Sequence, residues 1–415
     1  MLKIKKSKPN LIAIIVDLNQ IINTRKYVNY FELLNNLQDK SIFGAVIDIS
    51  QIFRFNKKKL KYEFAVVNQN QFFFQPRNTL DLIKLFNIYN CISIYNFPNK
   101  VGWLLSHLFL RTLNIKRFAI SGLGYLSDNS ISDDTSLKNK ILYFKNYKFS
   151  YYIFRIFQIF SLFKNIDFYF EASQKIIDDI NNSFSYKLKK KIKFLDLSFY
   201  KKKFRINSNA YNFFINYKNN FSNCNKYIVL VDSGFDHTDR IIREGKPSNI
   251  LRKEYYKTLN NFLTKISDLT SKEIIICLHP KVNYGSSYEY LQIKKKFKTV
   301  LNKTVEFIYQ SDICIFFESS AIIDAILLKK KIINLNTQLM GDYFFKRNNL
   351  YKDYINLYQI NLDNYKLPEK KKDLYKILKN KTKNYEKYIN ENIIFEENKT
   401  SYDQIKSILN EYYFK

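Results

Sequence analysis

Three short polar segments of this 415-residue chain carry residue types that can bind phosphate and move protons. The first, residues 232–240, reads Asp-Ser-Gly-Phe-Asp-His-Thr-Asp-Arg and holds one of the three histidines of the chain. Asp232 ends an apolar run and is expected to point into a cleft, and His237 stands among acids. Asp232 and His237 are therefore the candidate catalytic residues for proton transfer. A polar turn whose acids cap the next helix would show the same pattern, and this alternative stays open.

The second segment is His279-Pro280-Lys281, which directly follows the apolar run 274–278. Pro280 fixes the backbone and removes a donor, so the turn is expected to be rigid. An imidazole held there can donate a hydrogen bond to a phosphate oxygen, and Lys281 adds a positive charge. In the alternative interpretation, His279 only satisfies a backbone carbonyl.

The third segment is Glu318-Ser319-Ser320, between an apolar run at 313–317 and a predicted helix at 321–329. Two hydroxyls at a helix start, together with free N–H groups and the positive end of the helix dipole, favour an anion site. A plain helix cap is the alternative. With His279, the serines predict a phosphate pocket that uses no glycine cradle, because the chain has neither a Walker loop nor a Gly-x-Gly-x-x-Gly motif.

The elements that must position these segments alternate between apolar runs and amphipathic stretches, which predicts parallel, doubly wound sheets. In such sheets, ligands bind beyond the carboxyl ends of the strands, where all three segments stand. We expect two Rossmann-like α/β domains, residues 1–205 and 206–372, and a helical tail, 373–415, that packs back on the first domain. The predicted strands are 10–16, 43–49, 63–67, 91–95, 115–121, 167–171, 193–197, 226–232, 273–278, 305–308, 313–317 and 331–335.

Composition excludes several classes of protein. The chain is 46% hydrophobic and 25% charged, a globular balance. Its four cysteines form no close pair, which excludes zinc-knuckle, iron–sulfur and redox motifs and indicates a reducing compartment. The acidic pairs Asp133-Asp134 and Asp178-Asp179 are interpreted as caps or surface residues, so no metal site is predicted.

The formal charge of +31 comes mainly from lysines spread over the whole chain. This spread is typical of AT-rich base composition and does not favour nucleic-acid binding, which clusters its charge and uses arginine. Attraction to an anionic membrane surface is at least as plausible. The aromatic run 149–163 is interpreted first as a core helix and second as a helix lying on a membrane. No signal peptide or membrane span is predicted, which suggests a cytoplasmic protein, with peripheral membrane contact as an open possibility.

Two stretches carry a resemblance to a known family. Residues 311–334 (SDICIFFESSAIIDAILLKKKIIN) resemble the donor-binding segment of GT-B glycosyltransferases of bacterial surface-polysaccharide synthesis. A His-Pro pair and a Ser-Ser pair recur in sialyl-, polysialyl- and Kdo transferases and in CDP-glycerol glycerophosphotransferases. Residues 254–284 look like surface-carbohydrate biosynthesis proteins. The resemblance is centred on 226–337 and is faint in the first half.

The resemblance implies a GT-B fold, with two doubly wound domains facing a central cleft, and an inverting, metal-independent glycosyltransferase. His279, Pro280, Lys281, Glu318, Ser319 and Ser320 would bind the donor. A CMP-linked acidic sugar, such as a nonulosonic acid or Kdo, is the first candidate donor, and a glycan or lipid-linked glycan is the acceptor. The family pattern has two acids before the glycine where this chain has only Asp232, so Asp17 and Asp48 remain alternative bases.

Three rival functions stay open. One is transfer of glycerol phosphate from CDP-glycerol, and another is a GT-B-like sugar-nucleotide epimerase. The third, from a different class, is a non-catalytic module that binds a nucleotide sugar or a glycan. No cofactor is expected besides the nucleotide-sugar substrate, and no nucleic-acid partner is expected.

Overall fold

The structure is a computed structural model. It describes residues 8–16, 33–49, 52, 72–74, 76–94, 112–113, 115–121, 166–182, 200–217, 225–237, 240–241, 244–279 and 288–414. The chain forms two compact units. Unit 1 comprises Met1–Gly122, Tyr147–Asn207 and Lys399–Lys415, and unit 2 comprises Leu123–Asn146 and Ser208–Asn398.

Seven described strands form the sheet of unit 1, in the order β3-β2-β1-β4-β5-β6-β7, and each pair of neighbours is parallel. The central strands are continuous apolar runs because both faces of the sheet are covered. The strands are β1 (Asn10–Val16), β2 (Ile42–Asp48), β3 (Phe72–Phe74), β4 (Asn90–Ile94), β5 (Lys116–Ser121), β6 (Ile166–Glu171) and β7 (Tyr200–Arg205). The helices described before unit 2 are α1 (Thr79–Ile88) and α2 (Gln174–Asn182).

Six described strands form the sheet of unit 2, in the order β10-β9-β8-β11-β12-β13, again with parallel neighbours. These strands are β8 (Tyr227–Val231), β9 (Ile274–Leu278), β10 (Lys298–Leu301), β11 (Ser311–Phe316), β12 (Lys331–Asn336) and β13 (Tyr358–Asn361). The remaining described helices are α3 (Asn209–Tyr217), α4 (Asn249–Thr270), α5 (Tyr288–Lys296), α6 (Thr304–Gln310), α7 (Ile322–Leu327), α8 (Asp342–Ile355), α9 (Lys371–Lys381), α10 (Tyr385–Asn392) and α11 (Ser401–Tyr412). The predicted fold class, two doubly wound Rossmann-like domains, is confirmed.

One predicted strand is wrong, and the four edge strands β3, β7, β10 and β13 were not predicted. Residues 305–308 lie in helix α6, not in a strand, because Ile308 and Tyr309 face the core from a helix while Glu306 points outward. A four-residue stretch with three apolar residues fits either period. The strand of this region is the edge strand β10, which is half-exposed. It contains polar residues and was therefore not recognised as a strand from the sequence. The edge strand β7 was not predicted for the same reason, because it is rich in lysine. Lysines on an edge strand oppose pairing with other chains.

The helical tail divides between the units. Helices α9 and α10 belong to unit 2, where Leu374 and Tyr388 are buried in its two cores. This corrects the expectation that the whole tail packs on the first domain, because the apolar faces of α9 and α10 cover the second sheet. The last helix, α11, buries Ile405 and Leu409 in unit 1. The chain passes from unit 1 to unit 2 after Asn207.

The predicted strands 63–67 and 193–197 and the aromatic run 149–163 lie outside the described residues. Within the described ranges, no helix combines the length and apolar character needed to cross a bilayer.

Candidate functional site

The three polar segments follow three neighbouring strands of unit 2. Strand β8 lies between β9 and β11, and the segments begin where these strands end. From β8 the chain builds β9 and β10 on one side, then returns to build β11, β12 and β13 on the other. The strand order therefore reverses between β8 and β11. A crevice that binds ligands forms at such a switch point in open α/β sheets.

Asp232 holds the turn after β8 in place. Its carboxylate Oδ1 accepts the N–H of Gly234 at 2.9 Å, and its own N–H donates to the carbonyl of Cys277 on β9 at 3.0 Å. Gly234 has φ +74°, in the left-handed region that favours glycine. The carboxylate is 6% exposed, so Asp232 is a buried, ordered acid rather than a mobile surface group.

Ser233 ties the turn after β8 to the segment after β11. Its Oγ donates to the backbone carbonyl of Glu318 at 2.8 Å. This bond joins the first and third predicted segments directly, across the position where the strand order reverses.

His237 and His279 contact each other. Their ring centroids are 4.4 Å apart and their planes meet at 74°, an edge-to-face arrangement. The backbone around His237 is fixed by its N–H, which donates to the carbonyl of Gly234 at 2.9 Å, and by its carbonyl, which accepts from Ile241 at 3.0 Å. The structure thus brings the histidines of the first and second segments into contact. The sequence predicts a shared pocket only for His279 and the serines.

Asp236 is held by an arginine. The guanidinium of Arg252 on α4 donates to both carboxylate oxygens, with Nε–Oδ2 at 3.1 Å and Nη2–Oδ1 at 2.8 Å. A two-point ion pair of this kind fixes orientation as well as charge. Asp236 therefore anchors the loop that carries His237.

A second buried arginine supports the same loop. The guanidinium of Arg240 lies over the ring of Phe235 at 4.3 Å and donates to the carbonyls of Gly245 and Leu339. Burial lowers the pKa of Arg240. Next to it, burial raises the pKa of the Tyr255 phenol, and the negative charge of Asp232 adds to the rise.

Arg347 is a site residue that the sequence analysis missed. From α8, its Nε lies 2.9 Å from Oε1 of Glu318, and its Nη1 donates to the hydroxyl of Tyr343 at 3.0 Å. The two charged side chains are only 22% and 12% exposed, so solvent screens them less than a surface pair. The rarity of arginine, 11 residues against 57 lysines, was a signal that could have singled out Arg347.

The serine pair differs from the predicted helix cap. The N-cap position of α7 is Ala321, which has no side-chain cap, and the hydroxyl of Ser319 accepts from the N–H of Ala321 at 3.4 Å. The N–H groups of Ile322 and Ile323 donate to the carbonyls of Ser319 and Ser320, at 3.2 Å each. These helix-start donors are already used, so the hydroxyls are the groups available for an anion. Ser319 is half-buried and Ser320 is exposed.

The other predicted site residues lie elsewhere. Pro280, Lys281 and Asp17 are outside the described residues. Asp48 ends β2 in unit 1, where it is fully buried. Within the part of the chain that the structure describes, no group of three or more His, Cys, Asp or Glu side chains is arranged to hold a metal ion.

Comparison with known proteins gives structural neighbours only. No protein-family model and no curated protein matches the chain. A UDP-GlcNAc 2-epimerase from Methanocaldococcus jannaschii aligns over 97% of this chain and 99% of its own, with 13% identity and a TM-score of 0.46. Another UDP-N-acetylglucosamine 2-epimerase aligns over 99% and 97%, with 11% identity and a TM-score of 0.48. Arabidopsis thaliana UGT89C1, complexed with UDP, aligns over 97% and 99%, with 10% identity and a TM-score of 0.45. The two-sheet architecture rests on the strand order of this chain itself.

Proposed function

We propose that this protein is a GT-B-type glycosyltransferase that binds a nucleotide sugar at the switch point of unit 2. The observation that carries the proposal is the contact between His237 and His279, which follow β8 and β9 next to that switch point. Ser233, in the same loop as His237, bonds to Glu318 of the segment 318–320. Parallel strands lie about 4.8 Å apart, so loops from three adjacent strands surround a space of about 10 Å, the size of a phosphate with its sugar.

The donor phosphate is contacted by side chains in this proposal. His279 donates a hydrogen bond from one side, and the hydroxyls of Ser319 and Ser320 donate from the other. Arg347 is paired with Glu318 and offsets the charge of this acid beside the serines. As the bond between the sugar carbon and the phosphate oxygen breaks, the leaving nucleotide keeps the electron pair, and these groups stabilise the growing negative charge.

The acceptor hydroxyl attacks the sugar carbon from the opposite face, with inversion, and loses its proton to a base. Asp232 and His237 are the proposed pair for this step. The carboxylate of Asp232 accepts one N–H, from Gly234, which orients it. His237 is the group of the pair whose ring contacts the phosphate-binding His279.

The first candidate donor is a CMP-linked acidic sugar, and the acceptor is a glycan of a surface polysaccharide. The histidine and serine side chains of the proposed phosphate contacts support an anionic donor. A CDP-glycerol donor would use the same phosphate contacts. A non-catalytic binding module would bind nucleotides but would not turn over a donor and an acceptor.

A thermal-shift panel with CMP, CDP, UDP, GDP and ADP tests the site. Ligands that bind the folded state raise the unfolding midpoint. We expect a shift with cytidine nucleotides that disappears in His279→Ala and persists in Lys352→Gln, which removes an exposed charge on α8. A shift with UDP or GDP alone would support the nucleotide site and show that the donor is not a cytidine nucleotide sugar. If no nucleotide shifts the midpoint of the wild type, the proposal is wrong.

A further inference from the structure

Unit 1 contains a cavity at the amino-terminal edge of its sheet. Its volume is about 520 Å³, large enough for one or two sugar rings. The starts of β1 and β4, the last turn of α1 and residues 413–414 contribute to its lining. The side chains used below are Lys8, Asn10, Phe86, Asn87, Tyr89, Asn90 and Tyr413. In its own sheet, this edge is opposite the carboxyl ends of the strands.

Amide side chains supply the polar groups of the cavity. Asn10 and Asn90 stand side by side at the starts of β1 and β4, and Nδ2 of Asn90 donates to Oδ1 of Asn10 at 3.3 Å. Each amide has two donor hydrogens and an acceptor oxygen, so this single bond leaves both with hydrogen-bonding capacity. Asn87, exposed on α1, adds a third amide at the rim.

The end of α1 opposes anions at its side of the cavity, while Lys8 contributes one basic side chain to the lining, whose ammonium group can donate to hydroxyl oxygens. The last turn of α1, which includes Phe86 and Asn87, lines the cavity and contains no basic residue. The carbonyl groups at a helix C-terminus carry partial negative charge, which favours hydroxyl donors and opposes anions. A neutral ligand rich in hydroxyl groups fits this end better than a phosphate or a carboxylate.

Aromatic side chains line the same cavity and are held in place by contacts of their own. The hydroxyl of Tyr413 donates to the carbonyl of Cys91 on β4 at 2.5 Å, and the ammonium group of Lys116 lies 5.0 Å from the centre of its ring. Burial raises the pKa of Tyr413, so this phenol stays a neutral donor. Tyr89 is held by the ring of Phe74, with centroids 6.2 Å apart. Rigid aromatic rings provide contact area at a small entropy cost.

We propose that this cavity is a second carbohydrate site, which binds a neutral sugar ring between its aromatic side chains and the amides of Asn10, Asn87 and Asn90. Aromatic rings cover the C–H faces of the sugar, and amides exchange hydrogen bonds with its hydroxyls. The sugar-binding property does not depend on the proposed function. Its use, to hold a distant part of the glycan that the enzyme extends, does rest on that function.

Saturation-transfer NMR on the full chain tests the cavity, with chitotriose and maltotriose as neutral probes and sialyllactose as an acidic one. We expect transfer to a neutral trisaccharide in the wild type and in His279→Ala. The signal should fall roughly tenfold in Asn90→Leu, which loses its amide hydrogen bonds. Asn87→Ala, at an exposed position that tolerates change, should weaken it as well. Asn380→Leu, at an exposed position on α9, serves as the matched control.

Three results would overturn the inference. The first is an absence of transfer to either neutral probe, and the second is a signal that persists in both Asn87→Ala and Asn90→Leu. The third is loss of the signal in His279→Ala, which would place the sugar in unit 2. Neutral-sugar binding in a protein that binds no nucleotide would support the cavity and contradict the proposed function, so the two can fail separately.

Discussion

The imidazole rings of His237 and His279 meet edge to face, with centroids 4.4 Å apart, although they follow different strands of the second sheet. This contact is possible because β8 and β9 are neighbours and end at the same edge. A group that binds one ring will therefore affect the other. The two candidate histidines are therefore one contacting pair and are best tested together.

Substitution of the two histidines should show this coupling. We expect His237→Gln and His279→Gln each to weaken nucleotide binding, and the double variant to lose less than the sum of the two. Contacting residues typically show interaction energies of about 0.5–3 kcal/mol. Isothermal titration of the four proteins with the nucleotide that gives the thermal shift measures it. The pair His279→Gln and Lys352→Gln is the control and should be additive. Additivity within about 0.5 kcal/mol for the two histidines would contradict their coupling.

Loss of the arginine at the site should weaken donor binding. Arg347→Gln removes the guanidinium that lies 2.9 Å from Glu318, and leaves a partly buried carboxylate without this partner. We expect the Kd of the nucleotide to rise about tenfold, equivalent to about 1.4 kcal/mol. Arg347→Lys should recover only part of the loss, because lysine cannot reproduce the planar fork. Equal nucleotide affinities for Arg347→Gln and the matched Lys352→Gln would show that Arg347 does not contribute to nucleotide binding.

Gly341 and Gly245, both near Glu244, should differ in how much stability is lost on substitution by alanine. A Cβ on Gly341, which has φ +97°, would lie 2.3 Å from Cδ of Glu244. Glu244 cannot move away freely, because its Oε1 accepts the N–H of Tyr343 in the first turn of α8 at 2.8 Å. Gly341→Ala should therefore cost about 2 kcal/mol of unfolding free energy, from backbone strain and a lost cap.

Gly245→Ala is the matched control for that change. Gly245 has φ +82°, but a Cβ there would meet no atom within 4 Å. Only the backbone strain remains, about 1 kcal/mol. Urea unfolding of both variants makes the comparison. An equal loss of stability in the two would show that Glu244 yields without cost.

Asp324 should make stability depend on pH. Burial raises the pKa of this carboxyl on α7 to about 7, from an ordinary value of 3.8. Between these two values the unfolded state releases its proton while the folded state keeps it, so stability falls as pH rises from about 4 to about 7 and is constant above. Asp324→Asn removes this loss and should be more stable than the wild type at pH 8 by about 1–3 kcal/mol.

The measurement for Asp324 is the unfolding free energy of wild type and variant in urea at pH 5 and pH 8. The advantage of Asp324→Asn should be smaller at pH 5, where the wild-type carboxyl is protonated in the folded state. Asp353→Asn, at an exposed position on α8, is the control and should show no such pH dependence. An advantage of Asp324→Asn that is the same at both pH values would refute the assignment.

The sequence by itself determined the central strands, their alternation with helices and the polar segments at the strand ends. Runs such as β8, and β1 after Asn10, are apolar because a parallel sheet buries both faces, and this leaves a strong local signal. The change from apolar to polar at Asp232, His279 and Glu318 marks the strand ends equally locally. Short or half-exposed edge strands leave no such signal, so β3, β7, β10 and β13 were missed and residues 305–308 were misassigned.

Only the tertiary structure decided which of these residues meet. The order β9-β8-β11 places His237 against His279, and no local pattern encodes strand order. The pairing of Arg347 with Glu318 depends on how α8 packs, through contacts far apart in the chain. The donors at the start of α7 were expected to be open, but backbone carbonyls take them, because the turn at Ser319 and Ser320 closes on itself. Local sequence propensity determines the helices and strands, while long-range packing determines which of them lie next to each other. The candidate site is formed by side chains on or directly after such adjacent strands and helices.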